Sequence, residues 1–397
     1  MNKSNWKSSI SRFLTAQTIS LFGSSIVQYA IVWYITLSTS SGKMLTISTL
    51  CGFLPQIVIS LFAGVWIDRY DRKKMIMLSD SVIAVSTLLL AVTFLAGHKN
   101  IWLLFLVLVI RSAGTGIQTP AVNSVIPQIV PQEELMRING INSTLSSLMM
   151  FLSPAVSGVI LSVAPFETTL LIDFLTAVIG VGITATVYIK PVHKERSRLN
   201  SGMEEIRSGF LYLKENHFIK RLLSYQLIIL FLISPSAFLT PLMVKRTFGA
   251  DVWRLTASEM TYSLGMIAGG LLIASWGGFR KKMNTTMSAG AFYGMLMIAL
   301  GSAPVFLFYL VCNALIGITS PCYNAPITVT IQEKVPQEMH GRIFSFMQIA
   351  TSCALPLGMA VFGPLADVVK VQTLLTATGI SVVAISLAVW KMHFLEY

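Results

Sequence analysis

Apolar runs of about 20 residues recur along the whole chain, separated by short polar and charged turns. Twelve fit, at 11–37, 44–66, 74–96, 100–122, 139–164, 168–190, 219–244, 256–276, 285–301, 304–328, 342–366 and 371–391. Each is long enough to cross a bilayer hydrocarbon core of about 30 Å, and the short run at 285–301 is expected to extend past its edges. Lipid offers no partners to backbone N–H and C=O groups, so segments this apolar must be helices or closed barrels. The runs are continuous rather than alternating, which selects helices. The pattern predicts an all-α polytopic membrane protein with twelve transmembrane helices in two six-helix bundles. The longest polar stretch, 191–218, falls at the middle of the chain and divides an N-terminal bundle, 1–190, from a C-terminal bundle, 219–397. Within it, Ile206, Phe210 and Leu213 share one face of 203–215, predicting a short amphipathic helix at the membrane surface.

Composition sharpens this picture. Of the 397 residues only 12% are charged, against about 25% in soluble domains. No polar segment is long enough to house a separate catalytic domain. The net charge of +12 invites a nucleic-acid reading, but the distribution of the 29 Lys and Arg argues against one. With the N-terminus in the cytoplasm, 22 of the 29 fall on the cytoplasmic side and six outside, and Arg111 lies within a helix. That bias orients the chain with both termini cytoplasmic and explains the basicity through topology alone. Lys3, Lys7 and Arg12 precede the first run as they would in a signal peptide, but the run is too long for a signal core and is read as a retained helix. Cys51, Cys312, Cys322 and Cys353 all fall in apolar runs without metal spacing, and are expected to be buried structural thiols.

The halves match in register. Arg12-Phe-Leu-Thr-Ala-Gln17 parallels Arg221-Leu-Leu-Ser-Tyr-Gln226 at an offset of 209, and Val130-Pro131-Gln132-Glu133 parallels Val335-Pro336-Gln337-Glu338 at 205. Arg72-Lys73-Lys74-Met75 returns as Arg280-Lys281-Lys282-Met283 at 208. Six helices separate equivalent positions, so the repeat is parallel, with its axis along the membrane normal.

The turn Gly64-Val-Trp-Ile-Asp68-Arg69-Tyr-Asp71-Arg72-Lys73-Lys74 resembles the major facilitator superfamily pattern Gly-x-x-x-Asp-Arg-x-Gly-Arg-(Arg/Lys). Asp71 stands where the family usually has Gly. The resemblance implies that Gly64, Asp68, Arg69, Arg72 and Lys73 gate the rocking between two states, with Asp68 holding a basic residue or a helix N-terminus in one of them. The basic pair Lys73-Lys74 also satisfies topology alone, whereas Asp68 followed at once by Arg69 does not need to. The echo at 280–283 keeps the basic part and has no acid near 276. Gly140-x8-Met149-x3-Ser153-Pro154-x2-Ser157-Gly158 partly matches the superfamily's antiporter helix, Gly-x8-Gly-x3-Gly-Pro-x2-Gly-Gly, at Gly140, Pro154 and Gly158. It favours export over uptake, and an ordinary Pro-containing helix is the alternative.

Arg111 is costly in lipid, at least about 2.5–3.5 kcal/mol, and should face water or a carboxylate. It sits where proton-linked members carry an Arg associated with proton transfer. A structural Arg bound to backbone carbonyls is the other reading. Among the embedded acids, Asp173 and Glu259 are either interface residues reaching toward the headgroups or sites for a proton or substrate cation. Asp80, six residues past Lys74, reads as a structural partner near the cytoplasmic surface. Phe22, Gln28, Tyr29 and Trp33 in the first run, and Gln226 and Phe238 in the seventh, fall in the helices that line the central cavity in the superfamily. They are candidates for substrate contact, with packing as the alternative for each.

No Gly-x4-Gly-Lys-(Ser/Thr), His-Glu-x-x-His or Gly-x-Ser-x-Gly pattern occurs, so no nucleotide cassette or hydrolase site is expected. The resemblance, strongest to macrolide-efflux-type drug antiporters, implies a secondary active transporter. It would export a small hydrophobic drug in exchange for protons, without a bound cofactor, metal or nucleic acid, as a monomer in a bacterial plasma membrane. Moving one charge through about 100 mV is worth about 2.3 kcal/mol, roughly fiftyfold in concentration. Export of an endogenous siderophore or lipid, or a non-transporting sensor or scaffold, are the alternatives.

Overall fold

The computed structural model describes residues 5–189 and 216–391, and every regular element among them is helical. The expected helix at 203–215 lies outside the described residues. The first half contributes α1 (Asn5–Thr39), α2 (Gly42–Arg69), α3 (Arg72–Leu95), α4 (Ile101–Ile129), α5 (Leu135–Val163) and α6 (Phe166–Thr186). The second contributes α7 (His217–Phe238), α8 (Thr240–Thr247), α9 (Val252–Trp276), α10 (Lys282–Gly301), α11 (Phe306–Lys334), α12 (Gln337–Leu365) and α13 (Val371–Lys391). α7 and the short α8 make one span, 217–247, broken at Leu239. Pro241 at the start of α8 has no N–H to continue the ladder.

The described helices therefore give twelve spans. Ten are long and apolar enough to cross a membrane on composition alone. α9 and α10 are diluted by Ser, Thr, Tyr and Gly, and part of that dilution serves packing. A Cβ added at Gly265 or Gly269 of α9 would lie 2.1 Å from the Ala314 carbonyl or 2.2 Å from that of Ile318 on α11. Small residues four apart bring the two backbones together where lipid provides no hydrophobic drive.

The sequence repeat is visible in the backbone. α4, α5 and α6 have 29, 29 and 21 residues, as do α11, α12 and α13. Val130 and Val335 end α4 and α11 in extended conformation, with N–H bonds to the Ile126 and Ile331 carbonyls at 3.1 and 3.0 Å. Pro131 and Pro336 then cap the next helical turn with φ/ψ of −59°/150° and −56°/141°. Proline lacks an N–H, so a position where none is needed suits it.

The chain divides into two compact units, Met1–Ile35 with Leu50–Arg198, and Thr36–Thr49 with Leu199–Tyr397. The end of α1 and the start of α2 thus group with the second half of the sequence. Capping explains the grouping. The Asp367 carboxylate accepts from the Gly42 and Lys43 N–H groups at 2.6 and 3.0 Å and from the Ser41 hydroxyl at 2.8 Å, covering the N-terminus of α2. Lys245 donates to the Thr36 and Leu37 carbonyls at 3.2 and 2.5 Å, at the C-terminus of α1. Arg246 bridges the Ser40 carbonyl and Asp367. An anion at a helix start and cations at a helix end both complement the backbone dipole and its unpaired groups. Burial alone would raise the Asp367 carboxyl. The hydrogen bonds from Lys43, Gly42, Ser41 and Arg246 outweigh it and hold that carboxyl below its ordinary value.

Candidate functional site

In the first unit, polar side chains converge between α1, α3, α4 and α6. Arg111 of α4 forms an ion pair with Asp173 of α6. It also donates to the Thr87 hydroxyl of α3 at 2.7 Å and to the Ser24 carbonyl of α1 at 2.8 Å. The Ser24 hydroxyl donates to the other Asp173 oxygen at 3.1 Å. Arg111 and Asp173 are 4% and 0% exposed, so Asp173 is an interior residue and not one reaching to the interface. The guanidinium has both partners that its position demanded, a carboxylate and a backbone carbonyl.

Asp80 of α3 is buried among the helices of the first unit. It is 4% exposed, and its Oδ1 accepts from Gln118 Nε2 of α4 at 3.0 Å. Gln118 also donates to Gln17 Oε1 of α1 at 3.3 Å. Ser20 of α1 faces Asp80 as well, and Asp80 Oδ2 has no hydrogen-bond partner among the described residues.

This network borders a cavity of about 400 Å³. Gln17, Tyr29, Gln118, Asn123, Asn142 and Met149 are among its lining residues, and no lining side chain is charged. A second cavity of about 430 Å³ adjoins it at Thr18 and Leu145 and reaches Lys7, Glu134 and Arg137. Met149, the departure from the antiporter pattern, thus lies in the cavity wall, where its flexible thioether suits irregular apolar ligands. Of the other residues of that helix, Pro154 and Gly158 are buried, and Ser157 donates to the Ile26 carbonyl of α1 at 3.1 Å. Gly140 is exposed, and a Cβ there would meet nothing within 4 Å.

Of the aromatic and amide candidates, Tyr29 lines the cavity. Trp33 is 1% exposed and belongs to the core, its ring 5.8 Å from that of Tyr29. Phe22 is half-buried and lies outside the cavity wall, and the amide of Gln28 lies against Gly52 of α2. In the second unit Gln226 is buried on α7, with its amide oxygen unpartnered among the described residues. Phe238 is half-buried at the end of α7. Glu259 is half-buried on α9. Cys312 and Cys322 are buried as expected, whereas Cys51 and Cys353 are only half-buried.

The charged turn between α2 and α3 is fixed by caps. Asp71, which replaces the family's Gly, is the N-cap of α3 and accepts from the Lys74 N–H at 3.1 Å. Arg72 donates to the Ser124 carbonyl of α4 at 2.8 Å and to the Ile67 carbonyl at 3.4 Å, and the Gln128 amide lies against its guanidinium. Lys73 donates to the Ala185 and Val187 carbonyls at 2.7 and 2.8 Å, closing the end of α6. Arg69 is exposed. Gly64 and Asp68 fall on α2, but their side-chain surroundings lie outside the described residues. In the second copy, Lys282, the counterpart of Lys74, pairs with Glu333.

The family model for the Major Facilitator Superfamily matches residues 13–359. Macrolide efflux protein A of Streptococcus pyogenes is 31% identical over 389 residues, covering 96% of this chain and 95% of that protein. Macrolide efflux protein A of Enterococcus faecalis is 32% identical over 325 residues, covering 80% of this chain and 99% of that protein. Among solved structures, a point mutant of the nucleoside transporter NupG superposes with a TM-score of 0.72 at 15% identity, over 98% of this chain and all of the other. Twelve spans in two sequence-related halves, the charged α2–α3 turn and the whole-length matches agree: the chain belongs to the major facilitator superfamily of membrane transporters.

Proposed function

We propose that the protein exports a hydrophobic, macrolide-like compound in exchange for protons by alternating access. It works as a monomer in a bacterial plasma membrane, with both termini in the cytoplasm. The cavity wall along α1, α4 and α5 carries this reading. It offers amides, hydroxyls, a tyrosine ring and methionine thioethers without a charge, which fits an uncharged or weakly polar ligand rather than a phosphate. The names of the two efflux relatives support the substrate class. The Arg111–Asp173 pair joins α4 to α6 and holds the coupling site together. The α2–α3 turn, with Asp68 on α2, acts as the gate on the cytoplasmic side.

A susceptibility panel in a strain with and without the gene tests the substrate class. Resistance should rise for macrolides and leave small hydrophilic antibiotics unchanged. Everted vesicles energised by respiration should show macrolide-dependent proton movement. Vesicles that load macrolide without any proton movement would remove the exchange mechanism.

A further inference from the structure

We propose that Asp80 is the carboxylate that takes up the proton, and that Gln118 makes proton and substrate compete. The inference rests on the proton-exchange reading above and assigns its site.

Three acids lie within the spans that the sequence singled out, and their surroundings differ. Asp173 is compensated, since Arg111 neutralises it and Ser24 hydrogen-bonds to it. A compensated carboxylate has little reason to take up a proton. Glu259 is half-buried and lies outside the cavity walls of the first unit. Asp80 is buried, pairs with no cation among the described residues, and keeps one oxygen without a hydrogen bond. The groups facing it are Ser20 from α1 and Gln118 from α4, and Gln118 reaches on to Gln17 of α1. The charged side chains nearby are Arg111 of α4 and Asp173 of α6, which satisfy each other. An unpaired anion in such surroundings is costly, and binding a proton at Oδ2 removes the charge without moving the backbone.

The link to substrate is Gln118. Its amide nitrogen is shared between Asp80 and Gln17, and Gln17 and Gln118 both line the cavity. While Asp80 is an anion, it holds the amide N–H groups of Gln118 in place and presents its cavity-side face in one orientation. Once Asp80 takes a proton at Oδ2, its Oδ1 still accepts but no longer carries charge, so its hold on Gln118 slackens and the cavity loses that fixed face. Substrate favours the anion, a proton disfavours substrate, and the coupling is reciprocal.

The test is equilibrium binding of two fluorescent probes, a macrolide conjugate and an uncharged hydrophobic dye, to the purified full-length protein in weakly buffered detergent. For wild type, Kd should rise roughly tenfold per unit fall in pH across the titration of one competing group, and each binding event should release a proton. Asp80→Asn should bind both probes with a flat pH profile and no proton release. Gln118→Ala keeps the acid and should bind more weakly, with the pH slope reduced for both probes. An Asp80→Asn protein that still releases protons on binding, or an unchanged slope in Gln118→Ala, overturns the assignment. If Asp80→Asn loses binding altogether, the Gln118→Ala slope decides alone. A wild type that binds but neither releases protons nor responds to pH overturns the exchange reading, and the assignment with it.

Discussion

Asp80, Arg111 and Asp173 are three embedded charges with two different fates. The pair is mutually compensated, so its members should matter first for stability. Removing one partner of a buried pair leaves the other uncompensated and costs about 3–5 kcal/mol, whereas replacing both with apolar groups of similar volume is often neutral. Arg111→Met and Asp173→Leu should each lower the thermal midpoint of the purified protein sharply. The double variant should recover most of the loss, and additive losses in a double-mutant cycle would contradict the pairing. Arg111 was legible in the sequence as a charge needing a carboxylate, but its partner lies 62 residues away and no local pattern names it. Asp80 was legible as an embedded acid six residues past Lys74, about 9 Å along the helix, but its amide partner Gln118 lies on another helix and no local pattern names it. Trp33 reads like a ligand-facing aromatic and is instead core, because periodicity in an all-apolar helix does not separate a cavity face from a packing face.

Helix ends carry much of the remaining specification. Asp71 caps α3, and Asp71→Ala should cost about 1 kcal/mol, read as a lowered unfolding midpoint with transport retained. The repeat and the paired Val-Pro corners were readable because they are contiguous strings. The cap that Asp367 places on α2 was not, since its two parts are more than 300 residues apart and both look like ordinary loop residues. Its carboxyl is held below the ordinary value, so its contribution is complete above the unfolded value of about 3.9 and is lost as pH falls through the lower folded value. Hydrogen exchange of residues 36–49 should therefore stay slow from neutral pH down to about pH 4 and quicken in stronger acid. Asp367→Asn should exchange fast at neutral pH as well, and equal protection in the two proteins would contradict the cap. Gly363 offers a steric version of the same test. A Cβ there would lie 1.6 Å from Thr46 Oγ1 and 3.0 Å from the Gly42 carbonyl, so Gly363→Ala should loosen the same segment.

Twelve spans built as a tandem of six explain why the fold was readable from hydrophobic runs alone, even though α9 and α10 fall short of a simple apolarity criterion. The N-terminal half carries the acidic part of the charged turn, the Arg111–Asp173 pair and the uncharged cavity wall. The C-terminal half repeats the scaffold, and there Lys282, the counterpart of Lys74, forms an ion pair with Glu333. On the proposed gating role of the α2–α3 turn, Asp68→Asn should insert normally and yet fail to transport. The most direct measurement is macrolide accumulation in proteoliposomes under an imposed pH gradient, with the membrane potential clamped. Macrolide should move against its own gradient into the acidic compartment, in step with protons leaving it, and collapse of the pH gradient should release it. Equal movement with and without the gradient, or accumulation by Asp68→Asn equal to wild type, would contradict proton-driven export through a gated cavity.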